Sequence, residues 1–173
     1  MRTVITSLCR LEPLVVAHAR EMFAVLSDPA IYEFENSPPP SEAWLAQRYQ
    51  RLETRGPIDG AEQWLNWGIR LNGDELAGYV QATVIPDGTS FVAYELNSRF
   101  WRRGIGSEAV HAILEEMRQR YSVHTFLAVL KARNYRSEGL LRKLGFSLAD
   151  EELAFRYRDD ADELVMIKLV TSS

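Results

Sequence analysis

Apolar residues recur along this chain in two rhythms. Val15, Val16, Ala19, Met22, Phe23 and Leu26 fall at helical spacing, which predicts a helix closed by Asp28-Pro29. Pro38-Pro39-Pro40 is a rigid break. Ser41 follows it, placed to cap a second helix with Trp44, Leu45, Tyr49 and Leu52 on one face. Past a loop from Arg55-Gly56-Pro57 to Gly60, the rhythm changes to two. Leu65, Trp67, Ile69 and Leu71 alternate with Asn66, Gly68 and Arg70, as in a strand. Asn72-Gly73-Asp74 turns the chain into a returning strand from Leu76 to Ile85, and Pro86-Asp87-Gly88 turns it again into Phe91 to Leu96. These strands predict an antiparallel meander.

The helical period returns from about Gly104, with Ala109, Val110, Ile113, Leu114 and Met117 as the inner stripe. Val123 to Leu130 is a nearly continuous apolar run, as expected of a buried parallel strand. A short helix is predicted from about Asn134, burying Leu140, Leu141 and Leu144, with Gly145 ending it in the left-handed position. Phe146 onward and Leu164 to Val170 read as two more strands. The fold class this gives is α+β: one domain over residues 1–173 with a mixed, mostly antiparallel sheet flanked by helices. No repeat or linker interrupts it.

Composition changes this picture little. At 173 residues the chain is long enough to bury its own core, and 46% hydrophobic with 25% charged residues is an ordinary globular mix. It has no long uninterrupted apolar run, so no membrane span is expected, and its first residues lack the apolar core of an export signal. Cys9 has no second cysteine to pair with. Cytoplasm is the expected location. Net charge is −4, which argues against nucleic acid as the main ligand. The distribution says more. Asn97 to Ser107 holds three arginines and no acid, and Lys131 to Lys143 holds five bases and one acid. The rest of the chain is acidic. Two basic segments suggest one anionic ligand met by both, and the acidic remainder suits a cationic acceptor. A solvated surface explains the same charges.

The candidate chemistry centres on Trp101-Arg102-Arg103-Gly104-Ile105-Gly106-Ser107-Glu108. A strand leads into a Gly-x-Gly turn that opens a helix. Backbone N–H groups, a positive helix end and two cations then converge, which is a seat for phosphate. No Gly-Lys-Ser/Thr triplet follows the glycines, so a P-loop is excluded. Gly104-x-Gly106-x-x-Ala109 matches the spacing of the dinucleotide fingerprint. The acidic residue expected about 20 positions later is missing, however, although Lys131 or Arg133 offers a contact for a 2′-phosphate. An NADP-dependent oxidoreductase stays open on those grounds, with too few strand–helix units left for a doubly wound sheet.

The order of this turn, its helix and the apolar strand, followed by Asn134-x-x-Ser137 and Lys143-Leu144-Gly145-Phe146, resembles the GNAT superfamily of acetyl-CoA-dependent N-acetyltransferases. Trp101 with Ser107-Glu108-Ala109 is similar to the ribosomal-protein N-terminal (alanine/serine) acetyltransferase branch. So are Arg10-Leu11-Glu12-Pro13-Leu14 and Leu26-Ser27-Asp28-Pro29. The resemblance runs from about Cys9 to Leu169. It implies a GNAT-like sheet whose central strand pair, Phe91–Leu96 and Val123–Leu130, splays apart to admit a pantetheine arm. It implies contact with that arm through the backbone of Leu96 and through Asn134. It also implies a pyrophosphate seat at Trp101, Arg102, Arg103, Gly104, Ile105, Gly106 and Ser107, and places Ser137 near the thioester.

The activity so implied is transfer of an acetyl group from acetyl-CoA to a primary amine, by direct attack in a ternary complex. The acceptor is a protein N-terminus or a small molecule. An N-terminal α-amine, with a pKa of about 7.7–8.0, needs less help to lose its proton than a lysine at about 10.4. Glu95, on the strand entering the site, is the candidate base, and Ser137 the candidate acid. Many superfamily members carry a tyrosine acid where this chain has Leu141. Each residue has a plainer reading: Glu95 as a solvent-facing strand residue, Ser137 as a first-turn hydrogen bond, Asn134 as a helix cap. Leu141 also leaves open a catalytically silent acyl-CoA-binding module. His18, His111 and His124 are isolated and match no metal spacing, so no metal is expected. A monomer or homodimer is compatible with the resemblance.

Overall fold

The computed structural model describes residues 1–170. In chain order it comprises β1 (Val4–Ile5), β2 (Cys9–Pro13), α1 (Ala19–Leu26), α2 (Glu42–Leu52), β3 (Gln63–Leu71), β4 (Leu76–Val84), β5 (Thr89–Leu96), α3 (Ile105–Arg120), β6 (Thr125–Lys131), α4 (Tyr135–Lys143), β7 (Ser147–Leu148), α5 (Glu151–Tyr157) and β8 (Glu163–Leu169). The strands form one sheet in the order β1-β2-β3-β4-β5-β6-β8-β7. All neighbouring pairs are antiparallel except β5–β6, which is parallel. No helix among the described residues is long and apolar enough to cross a membrane.

Alternation along β3 puts its apolar side chains on one face of the sheet. Leu65, Trp67, Ile69 and Leu71 join the α3 stripe Ala109, Val110, Ile113, Leu114 and Met117 in the larger core. On the opposite face, α1 and α2 close a smaller core of Met22, Val25, Leu26, Leu45 and Tyr49 over Leu14 and Leu76. Ser41 caps α2, as its position predicts, by accepting from the Trp44 N–H (3.0 Å). Trp44 itself is 44% exposed rather than packed with Leu45 and Tyr49.

Four elements depart from the sequence reading. The edge strand β1 and its neighbour β2 precede the first helix. The strand expected from Phe146 shortens to Ser147–Leu148, and α5 follows it. α5 buries no residue, so it carries no apolar stripe to read, only a cap in which Asp150 accepts from the Leu153 N–H. The Val123–Leu130 run yields β6. That strand is parallel to β5 on one side and antiparallel to β8 on the other.

The N-terminal arm is pinned to α3. Glu116, 2% exposed, accepts Nε and Nη2 bonds from Arg2 (3.0 and 2.7 Å), while Arg120 stands 3.7 Å away. A carboxylate taken out of water costs free energy unless it is paired. Arg2→Ala is therefore expected to lower the urea unfolding midpoint; an unchanged midpoint means that Arg120 alone compensates Glu116.

Candidate active site

β5 and β6 stay in register only from Thr89↔Thr125 to Phe91↔Leu127, and then they part. The cleft between them has a volume of about 820 Å³. It is lined from β5 by Tyr94, Glu95 and Leu96, from the glycine turn by Trp101, Arg102 and Gly104 to Ser107, and from α4 by Asn134, Ser137 and Leu141. The expected splay and the expected grouping of these residues are both present.

The turn has backbone geometry that suits an anion. Arg102 (φ 59°) and Gly104 (φ 81°) both adopt left-handed backbone. At Gly104 an added Cβ would meet only Leu8 Cδ1 at 3.6 Å. Glycine is therefore required there by the backbone angle and not by space. Among the described residues, the N–H groups of Arg102 to Ser107 have no acceptor within the protein, and the α3 ladder begins with Glu108 donating to the Gly104 carbonyl. A run of free N–H groups at a helix start is what a pyrophosphate requires.

Individual residues differ from expectation. The Leu96 carbonyl accepts from Trp101 Nε1 (2.7 Å), so it is already engaged. Asn97 sends its N–H to Ala77 on β4, and alternation then puts the Leu96 N–H on the open edge facing β6. Trp101 thus serves partly as scaffold, and its ring carries the Arg136 guanidinium at 4.6 Å. Arg103 is not among the cleft-lining residues; its guanidinium lies 5.8 Å from the Phe100 ring. The basic segments meet the cleft only in part, through Arg102, Arg136 and Lys143. Arg99 pairs with Glu75 (2.8 Å), and Lys131 is taken by Asp160 and Asp162 (2.6 and 3.0 Å). Arg133 donates to the Phe34 carbonyl (2.8 Å). The sheet is not doubly wound, so the dinucleotide reading loses its scaffold.

Asn134 does cap α4, accepting from the Ser137 N–H (3.1 Å), and its amide also donates to Glu35 (2.9 Å). With Arg136–Glu33 (2.7 Å) and the Phe34–Tyr135 edge contact, this fastens the segment after α1 across the cleft. Glu33 and Glu35 are therefore engaged with α4 instead of standing free for an acceptor.

The structure supplies a group that the sequence did not suggest. The Tyr94 hydroxyl lies 2.8 Å from Ser137 Oγ, and burial pushes Tyr94 up to about 12. Tyr94 is thus protonated near neutrality. When it donates to Ser137, the serine's own proton is free for another acceptor. Leu141 is 1% exposed and only packs. Glu95 is half-buried opposite Tyr79 across the β4–β5 pair, not solvent-facing. Burial pushes its carboxyl up, offset in part by the Tyr79 hydroxyl, the Arg48 charge and the Tyr32 hydroxyl.

The family model "Acetyltransferase (GNAT) domain" matches residues 9–147. Among solved structures, the ribosomal L7/L12 alpha-N-protein acetyltransferase RimL in complex with coenzyme A superimposes with a TM-score of 0.81. It shares 15% identity, over 97% of this chain and 98% of that one. The microcin C7 self-immunity acetyltransferase MccE, in complex with acetyl-CoA and AMP, gives 0.79 at 15% identity over 95% and 94%. The ribosomal-protein-S5-alanine acetyltransferase from Vibrio fischeri gives 0.76 at 19% identity over 96% of each chain. At these identities the likeness establishes the fold. No curated protein matches the sequence.

Proposed function

This chain belongs to the acetyltransferase (GNAT) domain family, and from that footing we propose that it transfers an acetyl group from acetyl-CoA to a primary amine. The whole chain would act as one domain, in the cytoplasm, and a protein N-terminal α-amine is the favoured acceptor. The observation that carries the reading is the run of free N–H groups from Arg102 to Ser107 at the mouth of the β5–β6 cleft.

Gly104 to Ser107 and Arg102 would hold the pyrophosphate, and the open edges of β5 and β6 the pantetheine arm, with the Leu96 N–H among its donors. When bound, acetyl-CoA supplies an acyl group on a thiol leaving group. Holding both reactants in one complex contributes several kcal/mol of barrier reduction, of the roughly 7–11 available to ideal intramolecular geometry. Glu95 would take the proton from the acceptor amine, directly or through one water. Ser137 would give a proton to the departing sulfur, with Tyr94 behind it to hold its orientation. Backbone N–H groups near Leu96 would face developing negative charge.

Incubation of acetyl-CoA with a panel of amines, read by free-thiol release, tests the activity. Turnover with at least one amine supports it; tight coenzyme A binding without release for any amine supports the silent acyl-CoA-binding module. Ser137→Ala is expected to lower kcat by about 10²-fold while leaving KM for acetyl-CoA unchanged. Tyr94→Phe, which removes one hydrogen bond from a positioning residue, is expected to lower kcat about threefold. If Tyr94→Phe instead raises KM for acetyl-CoA at unchanged kcat, the tyrosine only shapes the cleft.

A further inference from the structure

A second hollow, of about 430 Å³, lies between α2 and the β3–β4 hairpin. No aspartate or glutamate lines it. Arg48 and Arg51 reach into it from successive turns of α2, both exposed and without a carboxylate within 4.0 Å among the described residues. Other arginines nearby are spent: Arg70 on Glu12 and Glu21, Arg136 on Glu33, Arg99 on Glu75. Each free guanidinium lies against a tryptophan instead, Arg48 at 5.8 Å from the Trp44 ring and Arg51 at 5.3 Å from Trp64. A guanidinium drawn to a ring face by cation–π attraction keeps its N–H groups available to an oxyanion.

The floor of the hollow is polar as well. Asn66 and Gln81, facing partners on β3 and β4, line it with their side-chain amides. Neither amide is among the fully buried unpaired groups, so both open onto the hollow, where a ligand or water can reach them. The hollow also adjoins the reaction site. Gln81 is two residues along β4 from Tyr79, on the same face, and Tyr79 stands opposite Glu95. Two strand residues span about 7 Å. Arg48 is near enough for its charge to act on the Glu95 carboxyl.

We propose that this hollow is an acceptor subsite that takes a carboxylate or phosphate carried about one to two residues from the reacting amine. The proposal rests on the acetyltransferase reading of the neighbouring cleft, and it narrows the acceptor from any amine to one followed closely by an anionic group. Glu33 and Glu35 are tied to α4, while Arg48 and Arg51 carry no ion pair among the described residues.

The test uses the full chain saturated with coenzyme A and three C-terminally amidated tripeptides: Ser-Gly-Asp, Ser-Gly-phosphoserine and the neutral isostere Ser-Gly-Asn. Binding is read by calorimetry, and acetylation separately by thiol release. At least one anionic peptide is expected to bind about tenfold or more tighter than Ser-Gly-Asn, its identity telling carboxylate from phosphate. The preference is expected to vanish in R48Q/R51Q with coenzyme A affinity unchanged. Equal or undetectable binding of all three, or a preference that survives in R48Q/R51Q, overturns the subsite. An arginine-dependent preference without acetyl transfer supports the subsite and overturns the acetyltransferase reading; transfer without preference does the opposite.

Discussion

Glu95→Gln is expected to lower kcat/KM by about 10²- to 10³-fold near neutral pH while the protein stays folded, because positioned general bases contribute on that scale. The pH profile carries the diagnosis. Burial raises the Glu95 carboxyl above its usual range, so the acidic limb of activity should lie at higher pH than an exposed glutamate would give. In E95Q that limb should disappear. A limb that persists unchanged would assign the proton transfer elsewhere. Stability should move in the opposite direction. A carboxyl whose folded pKa is raised is bound to its proton more tightly when folded, so stability falls as pH rises through that folded pKa. Glutamine removes this loss. E95Q should melt higher than the parent at neutral pH and show no such gain at pH values below the unfolded pKa. Lower activity with higher stability in one variant is the pattern of a group held against its own solvation for chemistry.

Gly78→Ala is expected to cost at least about 3 kcal/mol, read by urea unfolding, or to prevent folding altogether. A Cβ built on Gly78 would stand 2.0 Å from the Glu95 carbonyl oxygen and 2.9 Å from the Leu96 Cα. Both neighbours are backbone in the strand that carries the base, so no side chain can swing away. Gly78 pairs with Leu96, one step beyond Tyr79 and Glu95. The same substitution that destabilises the sheet would therefore displace Glu95. A variant within about 1 kcal/mol of the parent would show instead that β4 and β5 can shift apart freely, and Glu95 would then not be rigidly held.

The parts of this molecule legible from sequence are those whose signals are local. The α3 stripe, the β3–β4 hairpin and the asparagine cap of α4 each declare themselves within a few residues. So does the glycine turn, because free N–H groups at a helix start follow from the local chain path. β2 is short and holds only Cys9 and Leu11 as inward apolar positions, between Arg10 and Glu12, whose role lies in an ion-pair cluster with Arg70. α5 has no buried face at all. In the site, the contact of Tyr94 with Ser137 spans 43 positions, and the Arg48 charge reaches Glu95 from a different element, α2 to β5. No spacing rule reaches that far. The charge count was misleading for a related reason: sequence gives the number of acids and bases but not which of them neutralise one another, and Lys131 and Glu35 were both already committed.

The three-residue register between β5 and β6 has a mechanical meaning. The sheet is two leaves, one carrying the meander and the base, the other carrying β6, β8 and β7, and the backbone joins them through a hinge of only a few ladder bonds. Beyond the hinge both edges are open inside the molecule, a situation most sheets avoid. A strand-like guest lying in that gap would supply the missing rungs and convert the two leaves into one continuous body. The protein would then be most rigid when loaded, with its base and its acid brought into fixed relation by the molecule they act on.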